Sequence, residues 1–181
     1  MTDGLPIKLE GVEDIDKIIR RLNDPRVKSI ASKHMNVALI HIETPAKVNA
    51  AGKGPSGYGS GGTGQGISSI THMVEPIGSD LQGIVGSPNK HMAYQEYGTG
   101  LLYDGPGPKP GKRHWPPPAV LETWAKRNGI ASAWAVARAI GLRGGLRPKK
   151  FLRKAWEGAK GNVISEMNKI LPDIGRRMAG K

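Results

Sequence analysis

Apolar residues recur at helical spacing in the first quarter of the chain. One helical face collects four aliphatic residues, Ile15, Ile18, Ile19 and Leu22. A second helix is predicted from Pro25, a residue type favoured at a first helical position, to about His41. Thr44-Pro45 should end it, because the residue before a proline is pushed out of the helical region of backbone space.

The next predicted elements are two short strands. Segments 67–74 and 81–86 are rich in β-branched residues, and a Pro-Ile-Gly-Ser-Asp turn separates them. This order predicts an antiparallel hairpin. Within 92–97, Tyr94 and Tyr97 stand three positions apart, which favours a turn of helix over an extended strand.

Helical spacing returns after a proline-rich segment, 104–118, which predicts an extended loop. One helix is expected from Ala119 to Gly129 and another up to the glycines at 141–145. A long C-terminal helix should begin at Pro148 and end at Pro172. Tryptophans on the apolar faces of these helices are predicted core residues: Trp124, Trp134 and Trp156.

The length of 181 residues fits a single domain, and the order of elements predicts the α+β class. Glycine fills nearly half of residues 50–66, which is typical of a flexible arm because ordered glycine loses the most backbone entropy. The predicted parts are N-terminal helices (11–47), a flexible glycine-rich arm (48–66), a sheet (67–103), a proline-rich basic loop (104–118), further helices (119–171) and a basic tail (172–181).

Charge is unevenly distributed along the chain. The net charge is +12, yet residues 1–100 carry ten basic and ten acidic side chains, so the whole excess lies in residues 101–181. Such asymmetry predicts a polyanion partner, and at this point DNA, RNA, an acidic membrane surface and an unoccupied basic surface all stay open. No apolar run approaches the roughly 18 residues of a membrane span, and no secretory signal is expected.

Motifs for catalysis or metal binding are weak. Cysteine is absent, which excludes disulfides and thiolate ligands, and the five histidines have no metal-ligand spacing. Gly57, Gly59 and Gly62 match G-x-G-x-x-G, but no strand precedes them as the dinucleotide-binding fold requires. We therefore expect no catalytic, cofactor or metal site and no enzyme activity.

Several segments together resemble the tail-component family of tailed bacteriophages. Residues 92–100, M-A-Y-Q-E-Y-G-T-G, are similar to the family's A-x-Y-x-E-(F/Y)-G-T-G signature, and residues 147–155 are similar to R-P-F-L-R-x-A with two lysines inserted after the proline. Residues 66–70 resemble the opening of its first strand. Residues 114–125 are similar to P-P-x-x-L-x-x-W, and 140–145 to I-x-x-R-G. The likeness covers about residues 11–170.

The resemblance implies a structural protein of the virion neck, which completes the tail and joins it to the DNA-filled head. It implies N-terminal helices, a small antiparallel sheet and a long C-terminal helix packed on that sheet. It also implies a homo-oligomeric ring, expected to hold six copies, around the channel for double-stranded genomic DNA. The implied neighbours are head-side connector or stopper proteins and tail terminator or tail tube proteins, with assembly in the host cytoplasm and no membrane partner.

Two sets of residues become candidates for contacts. The glycine-rich arm and the proline-rich loop are expected to reach neighbouring subunits or rings, with interface candidates Tyr58, Tyr94, Glu96, Tyr97 and Trp115. Candidates to face DNA or an acidic partner are Lys109, Lys112, Arg113, Arg143, Arg147, Lys149 and Lys150. The alternative function is a stand-alone basic nucleic-acid-binding protein.

Overall fold

A computed structural model of the chain describes residues 24–52, 64–78 and 80–179, with side chains up to residue 177. The predicted helix around Ile15 to Leu22 and the candidate Tyr58 lie outside these residues. The helices are α1 (Pro25–Ala51), α2 (Gln65–Ser68), α3 (Lys90–Tyr97), α4 (Glu122–Arg127), α5 (Ala133–Leu142), α6 (Phe151–Met167) and α7 (Ile170–Ala179). Two 3-10 turns (Gly100–Leu102 and Pro118–Leu121) and the strands β1 (Thr71–Ile77) and β2 (Asp80–Gly86) complete the described elements.

The core forms where α6 and the hairpin meet α1. Along α1, Leu39, Ile42 and Ala46 are buried, and they pack in one cluster with Phe151 and Ala155 of α6. Alanines at the helix contact let the two backbones approach closely, while the fully buried ring of Phe151 fills the space at the start of α6. The predicted α+β class, with helices on either side of a small antiparallel sheet in the sequence, is confirmed.

Helix α1 begins where the sequence predicts and ends ten residues later than expected. Asp24 caps it by accepting a hydrogen bond from the Arg26 amide (2.8 Å), and Pro25 is its first residue. The predicted stop at Thr44 is wrong, because the helix continues through Pro45 to Ala51. Burial of alanines and aliphatic residues on both sides of Pro45 outweighs the lost backbone hydrogen bond.

The antiparallel hairpin is confirmed, with Thr71 opposite Gly86 and Ile77 opposite Asp80. Its predicted start is wrong, since residues 65–68 form the short helix α2 and β1 begins at Thr71. The segment turns because Ser68 and Ser69 hydroxyls bond to the carbonyls of Gln65 and Gly66, a local pairing that competes with strand formation. The helix predicted in 92–97 is confirmed as α3.

The helices after the proline-rich loop are confirmed in order, but the predicted burial of two of their three tryptophans is wrong. Trp134 is 59% exposed and Trp156 is 44% exposed, whereas Trp124 is half-buried. On α5 the buried face is made of small and aliphatic residues, Ala137 and Ile140, so Trp134 lies outward beneath the guanidinium of Arg138.

Both ends of the predicted C-terminal helix differ from expectation. Helix α6 begins at Phe151 rather than at Pro148, because Lys150 adopts a left-handed backbone conformation (φ 56°). It ends at Met167, and α7 then runs through Pro172 instead of stopping there. Pro172 is the third residue of α7, where a missing amide hydrogen removes no bond within the helix.

Candidate functional site

Glu96 at the end of α3 caps the start of α6. Its side chain is 3% exposed, and its two carboxylate oxygens accept hydrogen bonds from the amides of Leu152 (2.8 Å) and Arg153 (3.0 Å). Lys150, which precedes α6, provides no side-chain cap. A carboxylate from a distant part of the chain therefore satisfies the first free amides of this helix and faces the positive end of its dipole.

Backbone hydrogen bonds extend this contact along both segments. The Thr99 amide donates to the Leu146 carbonyl (3.0 Å), and its hydroxyl accepts from the Leu146 amide (2.9 Å). The Leu101 amide donates to Gly144 (2.9 Å). Glycine is required at position 100, where φ is +61° and a Cβ atom would lie 2.2 Å from the Gly144 carbonyl oxygen.

The two segments with the most specific family likeness, 92–100 and 147–155, are therefore in direct contact. Further bonds join the Lys149 amide to Gln95 (2.7 Å) and the Lys150 amide to Glu96 (3.2 Å). We call the segments 95–101 and 144–153 together the motif junction. Nothing in the local sequence pairs these segments, since Glu96 and Leu152 are 56 positions apart.

An ion cluster lies beside the motif junction. The Asp104 carboxylate contacts Lys150 Nζ (2.6 Å) and a guanidinium nitrogen of Arg153 (3.1 Å), and Arg153 also bonds the Asp104 carbonyl. The hydrogen bond and charge of Lys150, assisted by Arg153, hold the pKa of Asp104 below its ordinary value. This cluster ties the start of the proline-rich loop to α6.

The proline-rich loop returns to pack on the end of α5. A guanidinium nitrogen of Arg113 donates to the Leu142 carbonyl (3.0 Å), and the His114 amide donates to Gly144 (3.3 Å). Trp115 lies against Gly141 so closely that a Cβ atom there would be 2.1 Å from the indole ring. The loop is thus attached at both ends, and its residues 106–113 are exposed.

Most of the candidate basic residues are exposed. Lys109, Lys112 and Arg147 make no hydrogen bond or ion pair within the described residues, whereas Arg143 donates to the Ala139 carbonyl (3.0 Å). Lys150 is engaged with Asp104, as described above.

Lys149 is half-buried rather than exposed. Its Nζ donates to the carbonyls of Ala50 and Gly52 at the end of α1, both at 3.2 Å. Burial lowers the pKa of the Lys149 ammonium below its ordinary value. Lys149 and Lys150 thus make contacts within the fold, and the candidates that remain exposed are Lys109, Lys112, Arg113, Arg143 and Arg147.

The candidate interface residues are in three different environments. Glu96 was expected at an interface, but it is buried as the cap of α6. Tyr97 is half-buried against the Tyr103 ring. Tyr94 and Trp115 are exposed at 51% and 54%, so they are available at the surface.

Two histidines form hydrogen bonds with carboxylates that the sequence patterns do not predict. His34 on α1 contacts Glu166 (2.8 Å) and Asp173 (3.4 Å), which links α1 to α6 and α7. His72 on β1 contacts Glu43 on α1. No spacing rule could reveal pairs so distant in sequence. Across the described ranges no group of three such side chains could hold a metal ion.

No described helix combines the length and apolarity needed to cross a membrane. Comparison of the chain with protein-family models, with curated proteins and with solved structures gave no match in any of the three.

Proposed function

We propose that this chain is a structural protein of a bacteriophage neck, which forms a ring, expected to be hexameric, and joins the tail to the DNA-filled head. One observation carries the proposal: the E-Y-G-T-G and R-P-K-K-F-L-R segments, which give the family likeness, form one motif junction through the Glu96 carboxylate and paired backbone. The family signature therefore corresponds to one structural unit.

The surface around this junction supports a role in assembly. Glu96, Thr99 and Phe151 of the junction are buried, whereas the proline-rich loop beside it exposes Lys109 and Lys112. These lysines are suited to contact phosphates of DNA in a channel, since such contacts need no particular base sequence. Head-side connector or stopper proteins and tail terminator or tube proteins are the proposed neighbours in the virion.

Electron microscopy of phage lysates tests this function directly. In a phage whose copy of this gene is disrupted, we expect full heads beside separate tails, with joined particles restored by the wild-type gene supplied from a plasmid. A plasmid encoding the exposed-site variant Glu157→Ala serves as a matched control and should restore joining fully. Normal infectious particles in the disrupted strain would overturn the proposal.

A stand-alone nucleic-acid-binding protein is the second candidate, favoured by the charge of residues 105–148. This stretch carries eight Lys or Arg and one Glu. The candidate predicts that the purified monomer binds duplex DNA tightly, with log affinity falling steeply and linearly against log salt. Replacing Lys109, Lys112 and Arg113 by Gln should then reduce the salt slope by roughly one for each of these side chains that binds a phosphate.

A further inference from the structure

The outer face of the hairpin is apolar, acidic and exposed. Cross-strand pairs on this face are Met73 with Ile84, Glu75 with Gln82, and Ile77 with Asp80, and every one of these residues is exposed. The opposite face packs on α1, where Gly83 lies against Leu39. The hairpin therefore has one face in the core and a second face whose large apolar side chains are open to water.

A second exposed surface lies on α5 and the loop that packs on it. Trp134, Arg138 and Leu142 are spaced by four residues and form one exposed stripe of α5, with the Arg138 guanidinium 5.5 Å from the centre of the Trp134 ring. The loop adds residues at the end of this stripe, where Trp115 contacts Gly141. We define the α5 patch as Arg113, Trp115, Trp134, Arg138 and Leu142.

The two surfaces are complementary in charge and in apolar content. The ionisable groups of the α5 patch are its two arginines, and those of the outer hairpin face are the carboxylates of Glu75 and Asp80. Each surface also exposes large apolar side chains, including Trp134 on the patch and Ile77 on the hairpin. Tryptophan and arginine are the residue types that most often anchor protein interfaces.

We infer that the α5 patch of one copy of this chain binds the outer hairpin face of the next copy. The inference rests on the proposed ring and names the contact that builds it. Because the two surfaces differ, the contact is heterologous: each copy offers a patch to one neighbour and a hairpin to the other. Repetition of such a contact closes a ring when the rotation between copies permits it.

A second copy suits the α5 patch better than duplex DNA does. DNA phosphates would pair with the arginines but would leave Trp115, Trp134 and Leu142 without an apolar surface to cover them. The outer hairpin face supplies both carboxylates and aliphatic side chains. In this arrangement Lys109 and Lys112 stay free to meet DNA.

Sedimentation of two variants tests the inference in solution. The patch variant carries Trp134→Ala and Arg138→Ala, and the hairpin variant carries Met73→Ser and Glu75→Arg, so that the two mutated surfaces do not attract each other. Wild-type protein should form oligomers, and each variant alone should sediment as a monomer. Their mixture should form a one-to-one dimer of twice the 19.3 kDa chain mass, because one intact patch meets one intact hairpin. Control substitutions at exposed positions of α6, Lys154→Glu and Ile164→Ala, should leave assembly unchanged.

Disulfide formation provides an independent measurement, since the chain contains no cysteine. The double variant Met73→Cys and Leu142→Cys should form a ladder of cross-linked chains under mild oxidation, whereas equal amounts of the two single variants should stop at dimers. Circular dichroism and thermal unfolding establish that each variant is folded.

Two results would overturn the inference. In the first, the patch and hairpin variants assemble like the wild type and the double cysteine variant forms no ladder. This result would exclude the contact but would leave the proposed ring intact. A wild-type chain that stays monomeric at about 100 μM, together with a double cysteine variant that forms no ladder, would exclude it as well. The neck function is judged separately, by joined or separate heads and tails in the lysates.

Discussion

At the scale of single residues, Glu96 has the clearest structural role. Glu96 lies in the segment that resembles the family signature, and it is a predicted interface residue. In the fold, its two carboxylate oxygens instead accept hydrogen bonds from the amides of Leu152 and Arg153. A buried carboxylate that accepts hydrogen bonds from two amides stabilises the start of a helix more than an exposed acidic side chain there does, because water competes less for the amide donors.

Removing this cap should destabilise the protein. Glu96→Ala leaves two partly buried amides without acceptors, and we expect a loss of about 2 kcal/mol in the free energy of unfolding. Glu96→Gln keeps one oxygen acceptor and should lose less. Urea denaturation measures both values, with the exposed Glu157→Ala as the control expected to stay within about 0.5 kcal/mol of wild type. A Glu96→Ala variant as stable as this control would refute the capping role.

At the scale of elements, packing decided where helices begin and end. Proline stops a helix in isolation, yet α1 continues through Pro45 because Ile42, Ala46 and Ala50 are buried in the core on either side of it. At Lys150, too, tertiary contacts outweigh a local cost. Its left-handed backbone conformation costs roughly 1 kcal/mol and is maintained by the hydrogen bonds of the motif junction around it.

Replacing the internal proline should therefore stabilise the chain. Pro45→Ala restores an amide donor to the His41 carbonyl, and we expect the free energy of unfolding to rise by about 1 to 3 kcal/mol. Pro172→Ala is the matched control, because Pro172 occupies the first turn of α7, where no helical bond is missing. Thermal unfolding compares the two variants, and equal effects would show that Pro45 does not strain α1.

At the scale of the whole molecule, contacts of carboxylates with histidine, lysine and arginine hold distant elements together. Glu166 joins α6 to α1 through His34, and Glu43 joins α1 to β1 through His72. Asp104 joins the proline-rich loop to α6. Hydrogen bonds from Lys169 and then His34 lower the pKa of Glu166. At Glu43, burial alone would raise the pKa, but Lys47 and His72 outweigh it and the pKa is lowered.

These lowered pKa values predict sensitivity to acid. A carboxylate whose folded pKa lies below its unfolded pKa stabilises the fold above the unfolded value, and this contribution is lost as the pH falls through the folded pKa. The free energy of unfolding should therefore fall steadily as the pH is lowered from about 5. Glu166→Gln should flatten this dependence, whereas Glu157→Gln, at an exposed position of α6, should keep the wild-type slope. Urea denaturation between pH values of about 3 and 7 measures the slopes, and identical slopes for both variants would contradict the role of Glu166.

Local patterns in the sequence predict most of the regular elements. Apolar spacing located α1, α5 and α6, alternation and turn residues located the hairpin, and glycine and proline located the loop at 104–118. These features depend on neighbours within a few positions, which is why local patterns report them. The strong basic excess after residue 100 is likewise a property of the sequence alone.

Where those elements end, and which partners their charged residues contact, depends on tertiary packing. The extension of α1 through Pro45, the start of α6 at Phe151 and the outward position of Trp134 each follow from what packs nearby. Glu96 reaches amides 56 and 57 positions away, and His34 reaches Glu166 across 132 positions. Such contacts form because folding brings distant segments together. The stabilisation they provide depends on residues far away in the sequence, so local sequence patterns do not predict it.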